Sequence, residues 1–232
     1  MPGLTLADSA GGGMHAVMAI LAALVRRANS GAGAYLDVAA ADGILGLMAL
    51  MVDETLATGE QQGPGTNLLL GRYACYDIYE TRDGGWLSVA AIEPKFWANF
   101  CRLLELDQWA TRQTDDDVQD EIRADITRVL AARDRDDWVA LLAPADTCVA
   151  PVLSIPEVVH DEQYLARGAF VDATHPEHGT FQQIGHAFAG TVRPAEPVVA
   201  RDATTTETDE LLAGAGFSTD DIAKLRDAGV VA

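Results

Sequence analysis

The sequence predicts a mixed α/β protein, and three observations support that class. A glycine triplet runs into a long apolar segment of helical character within residues 6–27. Two β-prone runs, 73–81 and 86–92, are joined by the turn-rich segment 82–85, which is typical of a hairpin. With 232 residues, 49% of them hydrophobic, the chain can bury a core as one large domain or two modest ones.

The charge of the chain restricts its partners. Acidic residues outnumber basic ones by 35 to 16, giving a formal net charge of −19 without a basic stripe. Nucleic-acid binding is therefore not expected. An acidic chain also repels polyanions, so most groups that hold a phosphate-bearing ligand must lie elsewhere. Lys95 and Arg72 are candidate phosphate contacts, but solvated surface charge is the commoner role for such residues.

The cysteines and the apolar runs indicate the compartment. Cys75, Cys101 and Cys148 are far apart without zinc-ligand spacing, so we expect reduced thiols in or near the core, and no metal site. The apolar runs 16–25 and 43–52 are short for a bilayer span, and no basic segment precedes the first. The sequence therefore predicts a soluble cytoplasmic protein.

The first part of the chain predicts two helices around a strand. A helix over 14–28, apolar all round as if packed on both sides, ends at the segment 29–31. A short strand is predicted at 35–38, and a second helix at 42–58, which Gly59 stops. The Met and Leu stripe of this second helix is more typical of a core or a subunit interface than of a cofactor pocket. A turn-rich linker follows at 61–66.

Beyond the hairpin the sequence predicts a compact α+β module and then a thinner end. Glu93 is expected at the start of a helix that has Pro94 in its first turn. The remaining elements, in order, are helices at 94–106, 118–132 and 136–142, an extended run at 148–153, a helix at 155–167, irregular strands within 170–192 with a turn at 177–179, a polar linker at 194–208, and terminal helices at 208–215 and 218–229.

Asp8 and the glycines after it form the first candidate site. The carboxylate at a helix start is typical of a cap, or of a charge placed at the positive end of the helix dipole. Gly11, Gly12 and Gly13 favour a second role, because bare backbone at a helix entrance lets an anion approach N–H donors. A carboxylate beside such donors can move a proton while the donors hold the developing charge. The sequence alone leaves both roles open.

Five segments carry a resemblance to a known family. They are ADSAGGG, GAGAYLDVAAADG, YACYDIYETRDGGWLSVAAIEPKFW, CVAPVLSIPEV and TDELLAGAGFSTDDIAKLRDAGVV. With these segments in this order, the chain resembles the class III CoA-transferase family, and within it the α-methylacyl-CoA racemase branch. The resemblance implies a fragment of a Rossmann-like large domain plus a small α+β domain, in a fold that forms interlocked dimers.

The resemblance also implies a division of the chain into four parts. Residues 1–40 would be the remnant of the large domain with the catalytic aspartate, 41–72 a helix and linker, 73–168 the small domain, and 169–232 a return linker with a C-terminal helical segment. Only the C-terminal portion of a full-length member is covered. We expect a partner chain to supply the N-terminal segment, with its catalytic histidine and most CoA-binding residues, in a homo- or hetero-oligomer.

The resemblance assigns roles to particular residues. Asp8 matches the family's shared catalytic aspartate, and Glu93 matches a glutamate that racemases use, whereas transferases do not match at this point. Gly11, Gly12, Gly13 and Tyr76 would contact the substrate. None of the five histidines matches the family's catalytic one, and His15 is the only histidine near Asp8 in sequence.

The implied function is interconversion of (R)- and (S)-2-methylacyl-CoA through an enolate, with CoA carried by the substrate and no other cofactor. Two alternatives remain open. One is a class III CoA-transferase that uses Asp8 as nucleophile. The other is a non-catalytic, truncated subunit.

Overall fold

The computed structural model describes residues 5–185, 198–200 and 206–231, and it confirms the mixed α/β class. The chain forms two compact units, residues 1–152 and 153–232. After a π-helix at Leu6–Met14, the α-helices are α1 (His15–Ser30), α2 (Ala40–Leu47), α3 (Ala49–Thr58), α4 (Pro94–Leu103), α5 (Gln119–Leu130), α6 (Arg135–Leu142), α7 (Ile155–Val158), α8 (Glu162–Ala166), α9 (Thr208–Gly214) and α10 (Thr219–Asp227). The strands are β1 (Tyr76–Glu80), β2 (Trp86–Ala90), β3 (Val149–Val152), β4 (Phe170–His175), β5 (Gly179–Ile184) and β6 (Val198–Val199).

The first helix is longer than the sequence predicts. It begins at Leu6 as a π-helix and continues without a break into α1. Its end agrees with the prediction: Gly31 is left-handed, with φ of 71°, and its N–H donates to the carbonyl of Arg27. Glycine adopts this conformation without steric cost, which is why it ends helices so often.

The side chains of α1 are unexpectedly exposed. We predicted a helix packed on both sides, but no residue of α1 is buried, and Met14, Val17 and Leu21 are all more than half exposed. The continuous helix Leu6–Ser30 has 25 residues, and an 18-residue window within it has a mean hydropathy of 1.4 and is only 6% buried, so by length and composition alone the helix could cross a membrane. The expectation that no segment is long enough for a span is therefore wrong, and the cytoplasmic location stays a prediction.

Two further predictions in this region are wrong. Residues 35–38 form no strand, and Tyr35 is 93% exposed. A strand needs a neighbour for its N–H and C=O groups, and no described strand pairs with this segment. The helix predicted at 42–58 starts at Ala40 and breaks at Met48 into α2 and α3, although Gly59 ends it as expected, with φ of 77°.

The core of the first unit lies between a small sheet and three helices. Strands β1, β2 and β3 are antiparallel and lie in that order, so the predicted hairpin and the extended run near residue 150 are confirmed. The helices α4, α5 and α6 contribute side chains to the same hydrophobic cluster as the sheet. Fully buried members include Leu87, Trp97, Phe100, Ile122, Ile126, Leu130 and Leu142.

Within its described residues, the second unit holds a second three-stranded sheet and four short helices. β4 pairs antiparallel with β5 and parallel with β6. The helix predicted at 155–167 is split into α7 and α8, because Asp161 caps a new helix by accepting from the N–H groups of Gln163 and Tyr164. The terminal pair is confirmed as α9 and α10, where Ser218 accepts from the N–H of Asp221. Most of the predicted linker at 194–208 lies outside the described residues.

Candidate active site

Asp8 lies in the first turn of the π-helix, exposed to solvent. The N-cap residue is Thr5, and its side chain makes no capping hydrogen bond. Neither Asp8 nor Ser9 is therefore the cap of this helix. Ser9 instead shares a hydrogen bond of 2.6 Å with the Thr5 hydroxyl. Among the described residues, no hydrogen bond or ion pair engages the Asp8 carboxylate. It stands free at the positive end of a helix, where a negative charge is favoured.

The glycines do not form a bare helix entrance. They lie inside the π-helix, so the unpaired N–H groups at its start belong to the turn at 6–8 rather than to them. Gly11 is buried against α2, and a Cβ there would lie 2.7 Å from the Ala40 carbonyl oxygen. Close packing of the two helices explains a glycine at this position, and the contact of Gly11 with substrate stays a prediction. For Gly12 and Gly13 a Cβ would meet no atom closer than 3.4 Å, and their contact with substrate stays a prediction.

His15 has a local hydrogen-bond partner. Its Nδ1 lies 2.8 Å from the carbonyl oxygen of Ala10. A carbonyl can only accept, so Nδ1 carries the proton in this arrangement. The bond fixes the ring on its own helix, as is typical of a structural histidine. Among the other histidines, His186 lies outside the described residues.

Tyr76 and Glu93 lie at the same end of the β1–β2 hairpin, opposite its turn. In the β1–β2 register Tyr76 faces Ala90, and the N–H of Ala91 donates to the carbonyl of Cys75 at 2.9 Å. Glu93 follows as the N-cap residue of α4, with Pro94 in the first turn, as predicted. Tyr76 is half-buried and Glu93 is exposed. Asp8 lies on a different element, which contacts α1 and α2.

A turn before β3 approaches Glu93. Asp146 and Cys148 are both left-handed, with φ of 58° and 53°, and Asn99 Nδ2 donates to the Asp146 carbonyl at 3.1 Å. Cys148 is exposed, whereas Cys75 and Cys101 are buried; all three are free thiols, as expected of cysteines in or near the core except that Cys148 is at the surface. Partial desolvation, followed by the negative charges of Glu93 and Asp146, raises the pKa of the Cys148 thiol. The Glu93 carboxylate and the Cys148 thiol are therefore electrostatic neighbours.

The two candidate phosphate contacts are already engaged. Arg72 Nη2 lies 2.7 Å from Asp116 Oδ2, and this pairing raises the pKa of the guanidinium. Lys95 Nζ lies 3.1 Å from Asp146 Oδ2. Both pairs are largely exposed, and such pairs contribute little stability. These cations act as paired surface charges in this structure.

An open cavity of about 590 Å³ lies beside α3. Its lining is mostly apolar, and it includes Met48, Met51, Val52, Leu56 and Leu70. Pockets of this volume accept small organic groups, and thioether side chains adapt to irregular apolar shapes.

Sequence reasoning missed two groups near Glu93. One is the turn that holds Asp146 and Cys148, and the other is Gln113, whose side chain binds the backbone just before Glu93. Neither lies in a motif, and both approach Glu93 through long-range contacts. Among the residues the structure describes, no three His, Cys, Asp or Glu side chains could hold a metal ion together.

The fold is similar to that of two proteins of known structure. Rv3272 from Mycobacterium tuberculosis superposes with a TM-score of 0.66 at 22% identity, over 85% of this chain and 53% of that one. A CAIB/BAIF family protein from Brucella suis superposes with a TM-score of 0.62 at 23% identity, over 93% of this chain and 56% of that one. At these identities the likeness concerns the fold.

The family model of CoA-transferase family III matches residues 1–203, and the chain belongs to that family. Alpha-methylacyl-CoA racemase of Homo sapiens is 31% identical over 229 residues, which cover 97% of this chain and 59% of the relative. Formyl-CoA:oxalate CoA-transferase of Bradyrhizobium sp. (strain ORS 278) is 24% identical, over 99% of this chain and 60% of the relative. The chain thus spans about 60% of the length of these relatives.

Proposed function

We propose that this chain is a racemase-type subunit that interconverts (R)- and (S)-2-methylacyl-CoA thioesters. The placement of Glu93 supports the proposal, because Glu93 follows β2 at the end of the hairpin where Tyr76 begins β1. The resemblance associates a glutamate at this point with racemases rather than with transferases. The 31% identity to a racemase over 97% of the chain supports the same branch.

Proton transfer at the α-carbon is the chemistry proposed for Asp8. The α-proton of a thioester is weakly acidic, so its removal needs a placed base and donors for the enolate oxygen. The free Asp8 carboxylate takes the proton, and the C–H electron pair moves into the thioester carbonyl. An acid on the opposite face then returns a proton to the α-carbon, which inverts the configuration. The unpaired N–H groups at 6–8 lie in the same helical turn as Asp8 and are candidate donors for the enolate oxygen.

We propose that the second acid comes from a segment like the N-terminal part of the relatives, which this chain does not span. Glu93 would orient that group. Two observations support such a partner: the apolar side chains of α1 are uncovered, and a net charge of −19 is poorly suited to hold the phosphates of CoA. The apolar cavity beside α3 offers a surface for the acyl group.

A class III CoA-transferase is the second candidate function. The exposed and unpartnered carboxylate of Asp8 favours it, since a two-step acyl transfer needs mainly an accessible nucleophile. In that reaction the carboxylate attacks the acyl-CoA thioester, CoA leaves as the thiolate, and an acyl–aspartyl anhydride remains. The 24% identity to a formyl-CoA:oxalate CoA-transferase is consistent with this chemistry.

One experiment separates the two functions. The chain, purified with whatever accompanies it in its host, is incubated with 2-methylacyl-CoA in deuterated water, and both deuterium incorporation and acyl adducts on the Asp8 peptide are measured by mass spectrometry. The racemase proposal predicts deuterium at the α-carbon and its loss in Asp8→Asn. Asp53→Asn, at an exposed aspartate of α3, is the matched control. Adduct formation without exchange, and dependence on an acyl acceptor, would instead identify a transferase.

A further inference from the structure

Gln113 holds the backbone that leads into Glu93. Its Nε2 donates to the carbonyl oxygens of Ala91 and Ile92, at 2.9 and 2.7 Å. Carbonyls only accept, so the amide nitrogen must face them, and both of its hydrogens are used. The contact joins residues more than twenty positions apart.

The two carbonyls belong to the link between β2 and α4. β2 ends at Ala90 and α4 begins at Pro94, so Ala91 and Ile92 lie between the elements. Ala91 is fully buried. Leaving a buried carbonyl without a donor is costly, so the two hydrogen bonds of the Gln113 amide favour the observed path of this link.

Gln119 extends the contact to the strand that carries Tyr76. Its side-chain oxygen accepts from the N–H of Ala74 at 2.9 Å, and its Nε2 donates to the carbonyls of Gln113 and Asp115 at 3.3 and 2.8 Å. Ala74 precedes Tyr76 by two residues. Gln119 is 5% exposed, so water competes little for these bonds. A series of side-chain amide hydrogen bonds therefore connects the backbone before Tyr76 with the backbone before Glu93.

We propose that Gln113 is a positioning residue: it fixes the Glu93 carboxylate relative to Tyr76 by holding the backbone between β2 and α4. This inference rests on the proposed function only for its kinetic consequence. The geometric part concerns the backbone of the chain alone. Gln113 does not touch the reacting atoms, and it acts through Ala91 and Ile92.

The geometric part is tested by NMR on the labelled chain. We expect the side-chain amide protons of Gln113 to give resolved signals and to exchange slowly with water in the unmodified protein. Those of Gln163, which is exposed on α8, should exchange fast. Gln113→Met keeps the length and removes both donors. We expect it to shift the backbone amides of Glu93 and Lys95, while Gln163→Met leaves them in place. Fast exchange at Gln113, or unmoved resonances in a folded Gln113→Met, would overturn the proposal.

The kinetic part uses the α-proton exchange assay with the same two variants. We expect Gln113→Met to lower kcat on the order of 10- to 100-fold with little change in KM, because misplacement affects the reacting geometry more than substrate binding. An unchanged kcat alongside shifted Glu93 resonances would overturn the positioning role. If the unmodified protein shows no exchange at all, the proposed function fails, while the NMR result still decides the geometric part.

Discussion

The pKa of the Cys148 thiol depends on the charge of its neighbour Glu93. Because the Glu93 carboxylate helps to raise the pKa of this thiol, neutralising the carboxylate lowers that pKa and increases the thiolate fraction at a given pH. Burial raises the pKa of Cys101 to about 12 and also raises that of Cys75. The three thiols therefore differ sharply in reactivity, although the sequence treats them alike.

We predict that iodoacetamide labels only Cys148 in the folded chain near neutral pH. Glu93→Gln should speed this labelling, whereas Glu121→Gln, at an exposed position of α5, should not. Rates are read by peptide mass spectrometry across a pH series, in which the Glu93→Gln curve shifts to lower pH. Equal rates in the two variants would show that Glu93 and Cys148 are not electrostatic neighbours.

At the scale of elements, the packing of the π-helix on α2 depends on two glycines. A Cβ on Gly43 would lie 2.0 Å from the Gly11 carbonyl oxygen, which no side chain can accommodate without moving the backbone. Gly46, one turn further along α2, has no atom within 4 Å of its Cβ position. The two positions therefore form a matched pair within one helix.

We predict that Gly43→Ala destabilises the first unit by about 1–3 kcal/mol through overpacking. Gly46→Ala should stabilise it by about 0.5–1 kcal/mol, because alanine loses less backbone entropy in a helix than glycine does. Urea unfolding followed by circular dichroism measures both free energies. A neutral Gly43→Ala would mean that the π-helix and α2 do not pack closely.

Elements with local signals were predictable from the sequence. The hairpin turn, Pro94 after Glu93, and Gly31 and Gly59 at helix ends each determine structure within a few residues. The strand at 35–38 was not predictable in the same way, since pairing depends on a distant partner. The contact between Gly11 and Gly43 and the hydrogen bonds of Gln113 also join distant residues. Local patterns therefore indicated Asp8 as a candidate and Glu93 as a helix start, and the resemblance assigned their catalytic roles, but neither indicated the contacts of Gln113.

At the scale of the whole molecule, we propose that the exposed apolar side chains of α1 are covered in the active protein. Soluble proteins rarely leave an apolar helix bare on all sides. The family resemblance supplies a candidate cover, a segment like the N-terminal part of the relatives. A bare α1 is therefore consistent with an active protein that contains more than this chain.

We predict that the chain expressed without such a segment self-associates and binds the dye ANS. Leu21→Glu, on α1, should reduce both effects, because a charge disfavours an apolar contact. Ile155→Glu, at a side chain 81% exposed on α7, is the control and should change little. Light scattering after size exclusion gives the assembly state. A monomer without dye binding would contradict the need for a cover.

The proposed function depends on proton transfer at the α-carbon of an acyl-CoA, and an isotope experiment tests that step. The assembled protein is given one pure enantiomer of 2-methylacyl-CoA in deuterated water, and product enantiomers are separated before mass analysis. We predict that every inverted molecule carries one solvent deuterium, and that Asp8→Asn abolishes inversion while Asp53→Asn does not. Unlabelled inverted product, or inversion that survives in Asp8→Asn, would contradict it.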